Sequence, residues 1–395
     1  MKDAAFSAGR SERRARWAAA AGGACAFLNL YATQPLLPLL ADVFKASPAE
    51  AGLTITAGTL AIALVAPLAG GLADGWGRKR VILLAILAVI VPTLLAAQAG
   101  SLTELILWRF VQGLFLPFIF AITVAYVGEE WEAGEAAAVT GLYIAGTVLG
   151  GFSGRLVAGL VADAAGWRAA FLALAAIDAL YALVIWRWLP AERKFVARPG
   201  LGPAVRAMAS HLGNPSLRAA YAIGFLLLFV LVSTFTYSNF LLAAPPYTLP
   251  PSLLGSVFVV YLAGAAASPV AGRLAGRYGH RRVASVGVGI ACLGLCLSLL
   301  PSLVAILAGL AVATIGIFTT QSVTTAFVTV SAPFARSAAV GLYVSAYYLG
   351  GSVGAVLPAP AWQAGGWPAC VAVILGAEAL ILIVALGFWR RPMAG

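Results

Sequence analysis

The stretch Gly141-Leu142-Tyr143-Ile144-Ala145-Gly146-Thr147-Val148-Leu149-Gly150-Gly151 has a second copy 200 positions on, where Gly341-Leu342-Tyr343 and Leu349-Gly350-Gly351 stand in the same register. At that offset Gly154 also meets Gly354, Trp167 meets Trp367, and Asp178 meets Glu378. The loop Gly70 to Arg80 recurs as Gly272 to Arg282, at an offset of 202. Shared alanine bias can produce one such match, but several at one offset indicate a duplicated unit of about half the chain.

The composition says what kind of unit is duplicated. Of 395 residues, 62% are hydrophobic and 10% charged, with a mean hydropathy of +0.96. A soluble domain is about 25% charged, so a water-soluble core is excluded. Twelve apolar runs are legible, at roughly 17–41, 51–70, 81–98, 103–126, 136–161, 167–188, 217–243, 253–271, 283–300, 303–327, 338–358 and 368–389. Each is long enough to cross about 30 Å of hydrocarbon. In lipid the backbone must satisfy its own hydrogen bonds, and the alternating segments of a barrel are absent, so the runs are predicted as helices. The expectation is an all-α membrane protein of twelve transmembrane helices in two pseudo-symmetric six-helix bundles, 1–188 and 217–395. A polar cytoplasmic linker, 189–216, would join them, with a short surface helix over Val205–Leu212.

Charge placement orients the chain. All but four of the 25 basic residues fall at the N-terminus, in even-numbered connections, in the linker or at the C-terminus; the exceptions are Lys45, Arg109, Arg155 and Arg168. By the positive-inside rule both termini are expected in the cytoplasm of a bacterial inner membrane. The net charge of +11 is thus a topology signal and does not call for nucleic acid. The basic start mimics a secretion signal, but the apolar run continues to Leu40, so a retained first helix is expected. Cys25, Cys292, Cys296 and Cys370 all fall within predicted spans, so neither disulfide nor metal is expected.

The loop Gly70-Gly71-Leu72-Ala73-Asp74-Gly75-Trp76-Gly77-Arg78-Lys79-Arg80 resembles the signature between helices 2 and 3 of the major facilitator superfamily: Gly, three residues, Asp, a basic residue, any residue, Gly, then basic residues. It departs at Gly75, where the family usually carries a basic residue, and in the second copy Gly276 replaces the Asp. Its glycines permit a tight connection and close helix approach. Asp74 could accept from the free N–H groups opening helix 11, near Ser337, and Arg78 could pair with Glu129 or Glu130, forming a one-sided latch. Gly70, Asp74, Gly77, Arg78, Lys79, Glu129 and Glu130 are therefore the gating candidates. Arg109-Phe110-Val111-Gln112-Gly113 is similar to the family's Arg-x-x-Gln-Gly signature, and in the efflux branch this arginine is associated with proton coupling. Gly146-x-x-x-Gly150-Gly151-x-x-Gly154 resembles the glycine-rich signature of the drug/proton antiporters without its usual proline; glycines four apart serve equally as a helix-packing face.

Polar groups inside the runs supply the remaining candidates. Arg109 lies ~9 Å inside the span at 1.5 Å per residue, too deep to snorkel comfortably, and should face a cavity or a partner. Asp178 and Glu378 sit near mid-bilayer, where a carboxyl group is costly to ionise; each is either a proton carrier or a bond to a neighbouring helix. Arg155 could pair with Asp42 or Asp163 as an outer latch, or lie at the interface. For the solute, Asn29, Tyr31, Thr33, Gln34, Gln112, Tyr237, Asn239, Thr320, Gln321, Thr324, Tyr343 and Tyr347 are polar, uncharged or aromatic, as a cavity for a weakly polar or amphipathic molecule needs. Any single Thr is as readily bonded back to its own helix.

No lysine follows a glycine as an ATP-binding loop requires, and His211 and His280 lie in cytoplasmic segments, so no cofactor or metal is expected and an electrochemical gradient remains as the energy source. A membrane receptor would call for a large extramembrane domain and an enzyme for clustered catalytic groups; neither is visible. The expected function is secondary transport, proton-coupled export of a small organic solute, drug-like or sugar-like, by a monomer using alternating access. Import or facilitated diffusion on the same scaffold stays open.

Overall fold

Ser47 and Glu50 show how these spans begin. The Ser47 N–H donates to Glu50 Oε2 at 2.7 Å and the Glu50 N–H donates to Ser47 Oγ at 3.2 Å, a reciprocal cap that starts the second span with Pro48 as its first residue. The computed structural model describes residues 2–73, 75–192 and 202–389. The helices of the first half are α1 (Lys2–Leu30), α2 (Leu37–Phe44), α3 (Pro48–Ala73), α4 (Arg78–Ala97), α5 (Leu102–Glu130), α6 (Ala133–Ala165) and α7 (Trp167–Trp188). A short α8 (Gly202–His211) follows, close to the expected linker helix. The second half holds α9 (Pro215–Ala243), α10 (Pro251–Val257), α11 (Tyr261–Tyr278), α12 (His280–Leu297), α13 (Leu303–Ser331), α14 (Arg336–Gly354) and α15 (Ala359–Phe388).

Eleven stretches are long and apolar enough to cross a membrane, with α1–α2 and α10–α11 each counted as one. The twelfth is α14, of 19 residues. It is less apolar because it carries Tyr343, Ser345, Tyr347, Tyr348 and Ser352 along with four glycines. Among the described residues the fold is thus all-helical, with twelve spans.

Two of the predicted runs are broken. The first does not continue as one helix to residue 41: α1 stops at Leu30 and a 3-10 turn, Gln34–Leu36, precedes α2. Pro35 and Pro38 cannot donate the helical hydrogen bonds that a continuous run would require. The eighth run is likewise split by a 3-10 turn at Phe258–Val260. Several helices extend past the apolar runs, since polar ends such as Val127-Gly128-Glu129-Glu130 remain helical beyond the hydrocarbon.

The halves repeat each other in packing as they do in sequence. In the first, α1 packs on α6 and α7, α3 on α5, and α4 on α5 and α7; in the second, α9 packs on α14 and α15, α11 on α13, and α12 on α13 and α15. Glycines set the closest of these approaches. A Cβ on Gly146, Gly150 or Gly154 would lie 2.0–2.3 Å from the carbonyls of Ala20, Ala24 and Leu28. In the second copy, one on Gly350 would lie 1.8 Å from that of Phe225. The glycine-rich helix is therefore a packing face, by the same geometry in both halves.

Between the halves α3 packs on α14 and α6 on α10. These two contacts are related by the pseudo-twofold. The first span meets α9 through the Gln34–Leu36 turn and α2, and α6 packs on α10 far more than on α11. The halves are therefore drawn together at the end of the bundle where Gln34 lies, here called the Gln34 end, and splay along α6 and α11 toward the opposite, Arg78 end.

Candidate functional site

Arg109 organises the interior of the first half. α5 buries it to 1% exposure, and its Nη2 donates to the carbonyl of Leu30 at 2.7 Å. Leu30 is the last residue of α1, where the final carbonyls have no helical partner, so a cation from α5 closes that terminus. Arg109 Nε also donates to Thr54 O of α3 at 3.4 Å, and Nη1 donates to Gln112 Oε1. Gln112 passes the chain on, its Nε2 donating to Asn29 Oδ1 at 3.0 Å and to Thr93 Oγ1 at 2.7 Å. Asn29 Nδ2 then donates to Asp178 Oδ1 at 2.8 Å, which also accepts from Cys25 Sγ at 3.5 Å. One continuous path runs from a buried guanidinium to a fully buried carboxyl group whose second oxygen, Oδ2, has no partner among the described residues.

Arg155, on α6, occupies a different setting. Sequence reasoning paired it with Asp42 or Asp163, and the structure corrects both. Asp42 is exposed and pairs with Lys45 at 3.7 Å, and Asp163 accepts from Ser252 Oγ at 2.5 Å. Arg155 instead turns inward, to 3% exposure. Its Nε donates to Gln34 Oε1 at 2.9 Å and its Nη1 to Gly151 O at 2.6 Å. Its guanidinium carbon lies 4.8 Å from the ring centre of Tyr31, 4.5 Å from Phe258 and 5.0 Å from Tyr261, a cation held by π faces from both halves. Around it the rings continue: Tyr261 on Phe318, Phe27 on Phe120, and Phe120 of α5 stacked on Tyr348 of α14 across the halves at 6.3 Å. Tyr347 stacks on Tyr343, ring centres 6.0 Å apart, and meets Tyr348 edge-on at 5.6 Å. Five tyrosines thus converge between the bundles.

At the Arg78 end, Arg78 forms a forked pair with Glu129, Nε to Oε2 at 3.1 Å and Nη2 to Oε1 at 2.7 Å. Lys79 Nζ donates to Trp186 O at 3.0 Å, and the Lys79 N–H donates to Glu192 Oε2 at 3.3 Å. These bonds tie α4 to α5 and to the end of α7, all within the first half. Asp74 lies outside the described residues. A Cβ on Gly70 would meet nothing within 4 Å, so close approach does not account for that glycine. At Gly77, φ is +82° and a Cβ would meet Glu192 Oε1 at 2.2 Å, so only glycine fits there.

The Major Facilitator Superfamily model matches residues 19–249 and again 226–394. The chain belongs to the major facilitator superfamily. It is similar to the uncharacterized MFS-type transporter YybF of Bacillus subtilis, 31% identical over 95% of this chain and 92% of that protein. It is also similar to the inner membrane transport protein YnfM of Escherichia coli, 33% identical over 92% of this chain and 87% of that one. A solved bacterial homologue of the human lysosomal transporter Spinster, inward-facing and unoccupied, shares the fold with a TM-score of 0.80 at 16% identity, covering 97% of this chain and 99% of that one. The protein is therefore a multi-pass membrane transporter of this superfamily and not an enzyme.

Within this superfamily member the expected solute residues divide by position. Tyr31, Tyr343 and Tyr347 belong to the aromatic convergence. Asn29 and Gln112 do not face it, because Asp178 and Arg109 consume their amides. Gln34 and Asn239 join the halves: Asn239 Nδ2 donates to Gln34 O at 3.2 Å. Tyr237 donates to Ala355 O at 3.2 Å and packs on Trp362. Thr320 and Thr324 are bonded back to Gly316 O and Thr320 O of their own helix. Gln321 is half-buried, and Thr33 is buried with an unpartnered hydroxyl. Glu378 is buried in α15 at 1% exposure, apart from the Arg109 network. Sequence reasoning missed Thr93, Cys25, Glu192, Phe258, Tyr261 and Ser352. Ser352 Oγ lies 2.9 Å from Thr59 Oγ1 across the halves, and nothing in the local sequence distinguishes it from other small polar residues.

Proposed function

We propose that this transporter exports a small organic solute in exchange for protons, by alternating access between bundles 1–188 and 217–395 with 189–216 as linker. It acts as a monomer in the bacterial inner membrane, both termini cytoplasmic. The supporting observation is the path Arg109–Gln112–Asn29–Asp178. A proton arriving on Asp178 neutralises the acceptor that Asn29 and Cys25 hold, and the rearranged amides change what Arg109 can bind. Arg109 holds Leu30, four residues before Gln34, where the halves meet. Protonation is thereby linked to closure at the Gln34 end. The positive-inside reading of the basic loops assigns the Arg78 end to the cytoplasm, and on that reading the state described here faces inward. Gly70, Gly77, Arg78, Lys79, Glu129 and Glu130, with Asp74, serve the cytoplasmic gate.

The test begins with a thermal-shift screen of drugs, sugars and organic acids, since a ligand stabilises the state it binds. A stabilising compound is then added to proteoliposomes that hold a trapped pH indicator. Antiport predicts solute-driven pH change that Asp178→Asn removes. Solute movement unaffected by a protonophore would eliminate proton coupling, and proton and solute moving in the same direction would eliminate exchange.

A further inference from the structure

We infer that the transported solute is a small carboxylate-bearing organic molecule with a flat apolar body, its carboxylate seated on Arg155. This rests on the transport reading above and names the chemical class of its solute. Arg155 is 3% exposed, and both its hydrogen-bond acceptors, Gln34 Oε1 and Gly151 O, are neutral. Its Nη2 makes no hydrogen bond to the described residues. Aromatic faces lower the cost of burying the cation but leave its charge uncancelled, and a net charge at this depth calls for a counter-ion. The ion pairs recorded among the described residues, Arg16 with Glu12 and Glu135, Lys45 with Asp42, and Arg78 with Glu129, are all elsewhere.

A second observation points the same way. The Tyr31 hydroxyl, whose ring lies under the same guanidinium, is buried with no hydrogen-bond partner. A guanidinium can only donate and a phenol is free to donate, so Nη2 and the Tyr31 hydroxyl present donors that no described residue accepts. A carboxylate supplies what is missing, two oxygens that match the arginine fork and the phenol. The cage joins Tyr31 and Gln34 of the first half to Phe258 and Tyr261 of the second, so an anion bound there touches both bundles. The neighbouring rings of Tyr347 and Phe120 provide flat faces for the solute body. A cationic solute would meet Arg155 with no carboxylate beside it.

The test uses the purified full-length chain in detergent and a matched panel: benzoate and 1-naphthoate, their amides, and the corresponding arylmethylamines. The carboxylates are expected to raise the melting temperature, and the amides and amines to leave it unchanged. Arg155→Gln should weaken carboxylate binding at least about tenfold, and Arg155→Lys, which keeps the charge without the fork, by less. Tyr31→Phe should weaken it by about threefold to tenfold while the ligand-free melting temperature stays unchanged, because the lost hydroxyl has no protein partner. If Arg155→Gln does not fold, the lysine and phenylalanine variants carry the decision. The inference is overturned if no carboxylate stabilises the protein, if amides or amines do so equally, or if these variants leave carboxylate binding intact. Binding is read here without a proton gradient. A failure of this test therefore leaves proton exchange standing, and a failure of proton exchange leaves this site standing.

Discussion

Arg109 donates to the carbonyl oxygen of Leu30 at 2.7 Å, so a buried cation of the fourth span closes the C-terminus of the helix that begins the first. The bond satisfies a carbonyl left free at the break that Pro35 and Pro38 impose, beside the turn that brings Gln34 against the second half. Replacing Arg109 with Ala should cost about 2–4 kcal/mol of stability, since Leu30 O, Thr54 O and the Gln112 amide all lose a buried donor. Thermal unfolding in detergent checks this. Transport should be lost, and Arg109→Lys should not restore it, because one ammonium cannot reach three acceptors fixed for a fork.

Asp178→Asn removes the group that can change its protonation state while preserving its shape. The variant should still exchange labelled solute across the membrane under equal pH, but should no longer accumulate it against a gradient when a pH difference is imposed. Counterflow and pH-driven uptake, measured on the same vesicles, separate the two. Retained pH-driven accumulation would move the proton site elsewhere, with Glu378 the next to be tested.

The glycines make opposite predictions according to their surroundings. Gly154→Ala and Gly350→Ala put a methyl group against backbone carbonyls 2.0 and 1.8 Å away and should each cost about 1–3 kcal/mol. Gly70→Ala meets nothing within 4 Å and should change stability by no more than about 0.5 kcal/mol. Melting temperatures of the three variants check the contrast.

Arg78 and Glu129 form a pair that is partly exposed, with 9% and 34% of the side chains accessible. Glu129→Gln should therefore cost only about 0.5–1 kcal/mol, shrinking further in high salt. Its larger effect should be on transport rate, with solute affinity nearly unchanged. A variant altered in affinity alone would remove the pair from the gate.

Much of this architecture is visible along the chain. Apolar length locates the spans, and the repeat at Gly141 and Gly341 pairs α6 with α14 from the sequence alone. The site is only half visible, for physical reasons. Arg109 is conspicuous as a charge within an apolar run, but its main partner is a carbonyl of Leu30, and backbone acceptors leave no mark in a sequence. Asn29 and Gln112 resemble free cavity amides because the chain does not reveal that Asp178 and Arg109 use them. Arg155 suggests an acidic partner because charges are paired by sign when read in sequence, whereas the fold surrounds it with Tyr31, Phe258 and Tyr261. The turn at Phe258–Val260 is hidden because it is a three-residue change of hydrogen bonding inside a run whose composition stays apolar, whereas Pro35 and Pro38 mark the turn at Gln34–Leu36 in the sequence.

The central claim is that the halves meet at the Gln34 end and separate there during each cycle. Asp163, exposed, and Ser252, half-buried, lie on facing helices of the two bundles and are joined by a 2.5 Å hydrogen bond at that end. With cysteines at both positions, Asp163→Cys and Ser252→Cys together, oxidation should form a disulfide between the bundles and stop transport. Reduction should restore transport, and neither single variant should respond to oxidant. Transport continuing at the unmodified rate with that disulfide intact would contradict rocking of the two bundles.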